Sequence, residues 1–244
     1  NNVKDYNCDI CHSDESVEIP EAKHYTNNQP IHVCCNCGFV YVKKRRSADS
    51  IAKSWSEELF GSVYTAKIPA VAARQKYVAE TIDSTIGLKG KRVCDIGSGE
   101  GLFPEILRQP DYGAEVFAIE PSEYNCQLIN AKGIQYFVGT IEEYIDSPDS
   151  SDNEFNIVTI LWTLENCQNC RTMLEAAYSS LEKNGKLVVA TGSRILVPFK
   201  KPLHTYLSTT PIDTHAFRFS ANTLQALFIL SGFKIVHINR FIDT

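Results

Sequence analysis

The 244-residue sequence has no apolar run approaching the roughly 20 residues that a helix needs to cross a bilayer. It also lacks a signal-peptide pattern: the first residues are polar, and sustained apolar stretches come much later. A cytoplasmic protein without membrane insertion is therefore expected. Excess positive charge is missing too. Lys and Arg total 24 against 29 Asp and Glu, a formal net charge of −5, which argues against a surface built wholly for nucleic acid. No internal repeat or low-complexity segment is present, which excludes a repeat array. The first residue is Asn1 and not Met, as expected of a trimmed or processed chain. The length suits one large domain, or one of ordinary size plus a small module.

Cysteine is abundant. There are nine, an odd number in a large chain with no export signal, so a disulfide framework is a poor reading. Five of them, Cys8, Cys11, Cys34, Cys35 and Cys37, fall within the first forty residues. The pattern Cys8-x-x-Cys11 and Cys34-x-x-Cys37-Gly38 suits tetrahedral zinc. Each tight loop offers two thiolates to one ion at about 2.3 Å. Gly38 fits the turn that such a knuckle needs. Cys35 is an alternative ligand beside Cys34, and His12, His24 and His32 are reserves. Four thiolates leave no open coordination position, so the ion would be structural. A module of about 45 residues has little core of its own and needs such a staple. Phe39–Val42 then reads as a strand. The basic run Lys43–Arg46 is either a phosphate contact or a solvated strand end. Cys167-x-x-Cys170 has no partner pair nearby and reads as loop and helix-start cysteines.

The rest of the chain alternates strands and helices. Helical spacing of Ala70, Val71, Ala73, Tyr77, Val78 and Ile82 follows Pro69. Strands are expected at 93–96, 116–120, 136–138, 155–161, 187–190 and 233–238. Helices are expected at 102–108, 122–131 with Ser122 as cap, 172–181 closed by Asn184-Gly185, and 220–230. This alternation predicts an α/β fold, a doubly wound and mostly parallel Rossmann-like sheet, carrying a small N-terminal zinc ribbon. The expected division is a zinc module at 1–46, a helical linker or lid at 47–88, and the sheet domain at 89–244.

At the first strand-to-helix turn stands Asp95-x-Gly97-x-Gly99-x-Gly101. Glycines there permit positive φ and close approach of a ligand to the backbone. In open α/β sheets, ligands lie beyond the carboxyl ends of the strands. Glu120 ends the second strand, where a carboxylate can take both hydroxyls of a ribose. An adenosine-type cofactor follows. The dinucleotide fingerprint is G-x-G-x-x-G with a pyrophosphate at the helix start. Here the third glycine comes one residue early, and Glu100 places negative charge where a pyrophosphate would lie. A cofactor without phosphates fits better.

The stretches VCDIGSGEG, VFAIEPS, GTIEEY, FNIVTILWTLEN and NGKLVVAT, over about residues 90 to 192, resemble class I S-adenosylmethionine-dependent methyltransferases. The resemblance implies that Asp95, Gly97, Ser98 and Gly99 contact the methionine part of S-adenosylmethionine. It implies that Glu120 holds the ribose and that Pro121 flanks the adenine. Thr140, Ile141 and Glu142 would read the adenine edge, and Leu161 and Trp162 would line the cofactor. The cysteine module, the following Phe-Val-Tyr-Val and the helix resemble bacterial methyltransferases of sugar, polysaccharide and secondary-metabolite pathways. Members of that group often have Leu-Glu-His after the fourth strand, whereas this chain has Leu164-Glu165-Asn166. Asp213–Ser220 resembles the same group's entry to the last helix. The family sheet usually has seven strands. Here one strand is expected after the final helix before Thr244, so the chain is either clipped or lacks a complete last hairpin.

Methyl transfer depends on alignment of acceptor and sulfonium, and a hydroxyl or carbon acid needs a base. His215 and His204 are the candidate bases. Tyr64 is a candidate lid residue, and Glu165 is a candidate for orienting the acceptor. Arg194, Lys200, Lys201 and Arg218 are candidates for an anionic substrate. The leading expectation is methyl transfer to a small molecule, with a nucleotide-linked or polysaccharide sugar as a candidate acceptor. The alternatives are an RNA methyltransferase gripping RNA through the zinc module and basic run, an NAD(P)-dependent oxidoreductase, and a non-catalytic zinc and cofactor-binding protein.

Overall fold

A computed structural model of the chain describes residues 3–26, 29–58, 68–150, 154–192 and 215–239. The N-terminal part contains β1 (Val3–Asp5), β2 (Ser16–Ile19), a 3-10 turn at Pro20–Tyr25, β3 (Ile31–Cys34), β4 (Val40–Val42) and β5 (Lys44–Arg46). Helices α1 (Ala48–Glu58) and α2 (Ile68–Thr85) follow. The main domain then runs β6 (Arg92–Ile96), α3 (Leu102–Leu107), β7 (Glu115–Glu120), α4 (Glu123–Ala131), β8 (Gln135–Val138) and α5 (Ile141–Asp146). It continues through β9 (Phe155–Leu161), α6 (Cys170–Ser179), β10 (Leu181–Ala190), β11 (Phe217–Arg218) and α7 (Ala221–Leu230).

The main sheet is five-stranded in the order β10-β9-β6-β7-β8, and every pair is parallel. This is the expected doubly wound, Rossmann-like sheet. Its strands read as near-continuous apolar runs because helices cover both faces. β9 is the clearest case: of Phe155–Leu161 only Asn156 is not buried. The chain reverses direction across the sheet at β6, which has β9 on one side and β7 on the other. A crevice for a ligand opens at such a switch point.

Several helix boundaries follow local chemistry. Ser122 accepts from the Asn125 N–H and caps α4 as expected. Thr140 and Glu143 form a capping box that starts α5, a helix that the sequence pattern did not predict. On α2 the core face is Val78, Ala79 and Ile82, while Tyr77 is 41% exposed, so the buried stripe is rotated from the predicted one. Helix α6 stops at Ser179, and Asn184-Gly185 lies instead in an irregularity of β10, with Asn184 at φ 69°. The expected strand at Phe233–Ile238 has no ladder partner among the described residues, and Val236 is 73% exposed. An apolar alternation makes a strand only where a neighbour takes its hydrogen bonds.

A second sheet has the order β11-β4-β3-β2, all antiparallel. Its edge strand β11 comes from residues 217–218, whereas the other three lie within the first 42 residues. Phe39, two residues after Cys37, stacks against Tyr41, Phe217 and Phe219 with ring centres 5.9, 5.9 and 5.7 Å away. Cys8, Cys34, Phe39 and Tyr41 belong to the same apolar core as Ile96, Val158, Leu174 and Phe219. Among the described residues no helix is long and apolar enough to cross a membrane.

Candidate functional site

The carboxyl ends of β6, β7 and β9 meet around the glycine loop. Glu120, at the end of β7, is 6% exposed. Its carboxylate accepts the Gly99 N–H at 2.9 Å on one oxygen. On the other it accepts the Ser122 N–H at 2.9 Å and the Asn125 amide at 3.4 Å. Burial raises the Glu120 pKa, and these donors oppose the rise. A carboxylate has about four acceptor positions, so Glu120, with three taken, retains about one for a ligand's hydroxyl.

The three loop glycines do different work. All three have positive φ, at 71°, 54° and 74° for Gly97, Gly99 and Gly101. A Cβ on Gly97 would overlap the side chain of Thr163, and one on Gly101 would come within 2.9 Å of Ile129 Cγ1. Those two positions serve packing between the loop, the β9 end and α4. A Cβ on Gly99 would meet nothing within 4 Å. Gly99 is thus the open point of the cradle, and its N–H already holds Glu120. These features fit an adenosine-type cofactor.

Asp95 lies below the loop, within β6, and is 4% exposed. Thr159 on β9 donates to its carboxylate at 2.5 Å. Burial pushes the Asp95 carboxyl up to about 7 against that hydrogen bond, and the nearby Glu120 charge adds to the rise. The Ser98 hydroxyl donates to the Asp95 carbonyl at 2.7 Å and fixes the first turn of the loop.

At the end of β9, Trp162 has φ 53°, a left-handed conformation that is strained for a bulky side chain. Its N–H donates to Ala190 at 2.7 Å, and its carbonyl accepts the Asn166 amide at 3.0 Å. The Arg74 guanidinium of α2 lies 3.7 Å from the Trp162 ring centre, a close cation–π contact. Sequence reasoning missed Arg74, because α2 was read only for its apolar stripe. Leu161 is buried at the strand end.

Glu165 is 2% exposed, and its carboxylate accepts from the Thr191 hydroxyl at 2.9 Å. Its carbonyl accepts the N–H groups of Ala216 and Phe217 at 2.8 and 3.2 Å. His215 therefore stands one residue from the Glu165 backbone, and two of the predicted acceptor-side residues come together. Arg218 turns back, donating to the His215 carbonyl at 2.9 Å. His204, Tyr64, Arg194, Lys200 and Lys201 lie outside the described residues. Beyond β8, the Ile141 side chain is fully buried in the core, so only its backbone can face a ligand. The Glu142 carboxylate accepts from Thr172 on α6 at 2.9 Å. Pro121 is half-buried beside Glu120.

In the N-terminal part, the Sγ atoms of Cys8, Cys11, Cys34 and Cys37 lie within 4.8 Å of one another. Cys8 is 3.4 Å from Cys37 and Cys11 is 3.4 Å from Cys34. All four are free thiols. A tetrahedral ion with thiolates at about 2.3 Å needs sulfurs about 3.8 Å apart, so the donor set is compatible with zinc. The two knuckles are copies of one loop. His12 N–H donates to Cys8 at 2.9 Å and Gly38 N–H to Cys34 at 3.0 Å. His12 and Gly38 have φ 59° and 73° respectively. Cys35 is exposed and donates its N–H to Glu15 at 3.1 Å, outside the cluster. Of the basic run, Arg45 is buried against Asp9, and Lys43 Nζ donates to the Asp14 carbonyl at 3.0 Å. Cys170 begins α6 and Cys167 lies in the preceding loop; both are buried.

A family model described as a methyltransferase domain matches residues 71–238, the stretch that holds Arg74, the glycine loop, Glu120 and the β9 end. The chain belongs to this methyltransferase family. A methyltransferase domain, and not a nicotinamide-dependent oxidoreductase, is the family that this match shows. The methyltransferase is 30% identical over 119 residues to the ubiquinone biosynthesis O-methyltransferase of Marinobacter nauticus, 46% of this chain and 49% of that protein. It is 26% identical over 153 residues to the mitochondrial ubiquinone biosynthesis O-methyltransferase of Schizosaccharomyces pombe, 60% of this chain and 55% of that one. The chain spans about half the length of the curated relatives it matches. Two solved structures share the fold. One is an S-adenosylmethionine-dependent methyltransferase from Thermotoga maritima, with TM-score 0.56, 22% identity and 76% and 82% of the two chains covered. The other is the magnesium protoporphyrin IX methyltransferase of Synechocystis with bound S-adenosylhomocysteine, with TM-score 0.56, 16% identity and 76% and 83% covered.

Proposed function

We propose that this methyltransferase transfers the methyl of S-adenosylmethionine to a hydroxyl of a small-molecule acceptor, a nucleotide-linked or polysaccharide sugar. The observation that carries the reading is the Glu120 carboxylate, held by the Gly99 and Ser122 N–H groups at the mouth of the open Gly99 turn. In this reading Glu120 takes a ribose hydroxyl, and Gly97, Ser98 and Gly99, with Asp95 behind them, hold the methionine end. Arg74, parked on Trp162 beside that end, matches the methionine carboxylate by charge. Pro121, Thr140, Ile141 and Glu142 flank the adenine, and Leu161 and Trp162 close the crevice.

S-adenosylmethionine supplies an electrophilic methyl. The protein's part is to align an acceptor with it and to take the acceptor's proton. His215 takes that proton in this reading, with His204 as the second candidate base. Glu165 orients the acceptor from beside His215, and Tyr64 belongs to a lid. Cys8, Cys11, Cys34 and Cys37 hold a structural zinc ion. A cytoplasmic location belongs to the same reading, since a zinc-bound thiolate set and an odd cysteine count suit a reducing compartment. O-methylation is supported by the names of the relatives, and the sugar by the cysteine module's resemblance. The RNA reading is weakened because Arg45 is committed to Asp9.

The test incubates the protein with S-adenosylmethionine and a panel of nucleotide sugars, quinone-type phenols and a structured RNA, read by mass spectrometry. A methylated nucleotide sugar is expected. Methylation of a phenol alone would retain the enzyme and remove the sugar, and failure to bind S-adenosylhomocysteine by calorimetry would reject the site.

A further inference from the structure

We propose that Arg45 is a positioning residue that fastens the cysteine cluster to the acceptor side of the site. The reading above is needed only to name that side. Asp9 stands inside the first knuckle, between Cys8 and Cys11. Arg45 binds it with both arms of its guanidinium, Nη1 to Oδ1 at 2.8 Å and Nη2 to Oδ2 at 2.5 Å. Both side chains are 1% exposed. The same guanidinium donates from Nε to the Val42 carbonyl and from Nη1 to the Gln168 carbonyl, each at 2.8 Å. Its Cζ lies 4.5 Å from the ring centres of both Tyr6 and Phe217.

Each contact leads to a different arm of the acceptor side. Gln168 lies in the loop that carries Glu165, and its amide donates back to the Arg46 carbonyl at 3.1 Å. Phe217 lies two residues after His215, in β11, and pairs with Tyr41 of β4. The Ala216 carbonyl accepts the Val42 N–H at 2.8 Å, while the Ala216 N–H donates to Glu165. The Glu165 loop, the His215 segment and the first knuckle thus share one buried cation. A planar fork can make this set of bonds, and an ammonium cannot. The glycine loop and Glu120 have no part in it. The arrangement couples the state of the cysteine cluster to the acceptor side and leaves the cofactor cradle independent.

The experiment uses the full chain with zinc and follows hydrogen exchange by mass spectrometry in wild type, Arg45→Lys and Arg45→Met. S-adenosylhomocysteine affinity is measured alongside by calorimetry. In Arg45→Lys, peptides covering 163–169 and 215–219 should exchange about tenfold faster, and faster still in Arg45→Met. Metal content, the 92–101 and 115–122 peptides, and S-adenosylhomocysteine affinity should stay near wild type. Unchanged exchange at 215–219 would overturn the proposal. So would acceleration that spreads to β6 and β7 with loss of S-adenosylhomocysteine binding, since Arg45 would then be a general fold contact. Should Arg45→Met not fold, chelator titration of wild type decides. Residues 215–219 should lose protection at the chelator dose that opens 8–11 and 34–37, and protection that outlasts the knuckles rejects the coupling. A wild type that never binds S-adenosylhomocysteine would refute the methyl-transfer site while leaving the exchange result standing.

Discussion

The Glu120 carboxylate and the Gly99 N–H are joined at 2.9 Å, which ties the end of β7 to the only loop glycine whose Cβ position is open. The proposed ribose and methionine sites are therefore one hydrogen-bonded unit. Glu120→Ala removes a charged acceptor and strands the Gly99 and Ser122 donors. Hydrogen bonds to charged groups contribute about 1.5–3 kcal/mol, so S-adenosylhomocysteine affinity should fall by about tenfold or more in calorimetry. Glu120→Gln should fall between wild type and Ala.

Gly97 and Gly99 should separate stability from binding. Gly97→Ala drives a methyl into Thr163 and forces an unfavourable φ. The midpoint of urea unfolding should drop, at a cost of roughly 1–3 kcal/mol. Gly99→Ala costs only the conformational strain, about 1 kcal/mol, and places its methyl on the open, proposed cofactor face. Its larger effect should be on S-adenosylhomocysteine affinity.

Asp95 gives the fold a pH signature. Its carboxyl is near 7 in the native state, against about 3.9 in an unfolded chain. The native state thus holds this proton more tightly. Its contribution to stability is greatest below about pH 4, falls as pH rises towards 7, and is level above that. Glu120 shifts in the same direction. Melting temperatures of wild type and Asp95→Asn measured from pH 5 to pH 8 should diverge with rising pH, the Asn variant being the more stable at pH 8. Parallel curves would show that Asp95 is not the titrating group.

The cysteine cluster predicts one zinc ion per chain by elemental analysis. Cys8→Ser and Cys37→Ser should lose it, because each removes one of four converging sulfurs. Cys35→Ser should keep full occupancy, since Cys35 is exposed and is not one of the four converging sulfurs. Retention of the ion in Cys8→Ser would require a replacement ligand.

Much of the proposed cofactor cradle is legible in the sequence because its residues are consecutive. Asp95, Gly97, Ser98 and Gly99 follow one strand, and a glycine turn has few conformational options. The two cysteine pairs were legible for the same reason, being short loops with fixed ligand spacing. Arg74 was not, because it reaches Trp162 from a helix 88 residues away. Helix α5 escaped notice because a six-residue helix shows little periodicity, although Thr140 and Glu143 carry its capping box. The strand expected at Phe233–Ile238 finds no ladder partner among the described residues, because alternation reports an apolar face and not a partner.

The sequence by itself determined the alternation of strands and helices, the acid and glycines at the switch point, and the four converging cysteines. Each is set by chemistry within a few residues: strand and helix periodicity, positive φ at glycine, and thiol spacing. Only the tertiary structure decided what two of the loop glycines face, and where the cysteine part ends. Phe217 and Arg218 complete the sheet begun by β2, β3 and β4. Arg45 closes on Asp9 and Gln168, residues 36 and 123 positions away. A two-residue strand and a buried ion pair have no periodicity to read. They form because folding a distant segment onto the N-terminal hairpins buries Phe39, Phe217 and Phe219 together and leaves one guanidinium to satisfy the polar groups between them.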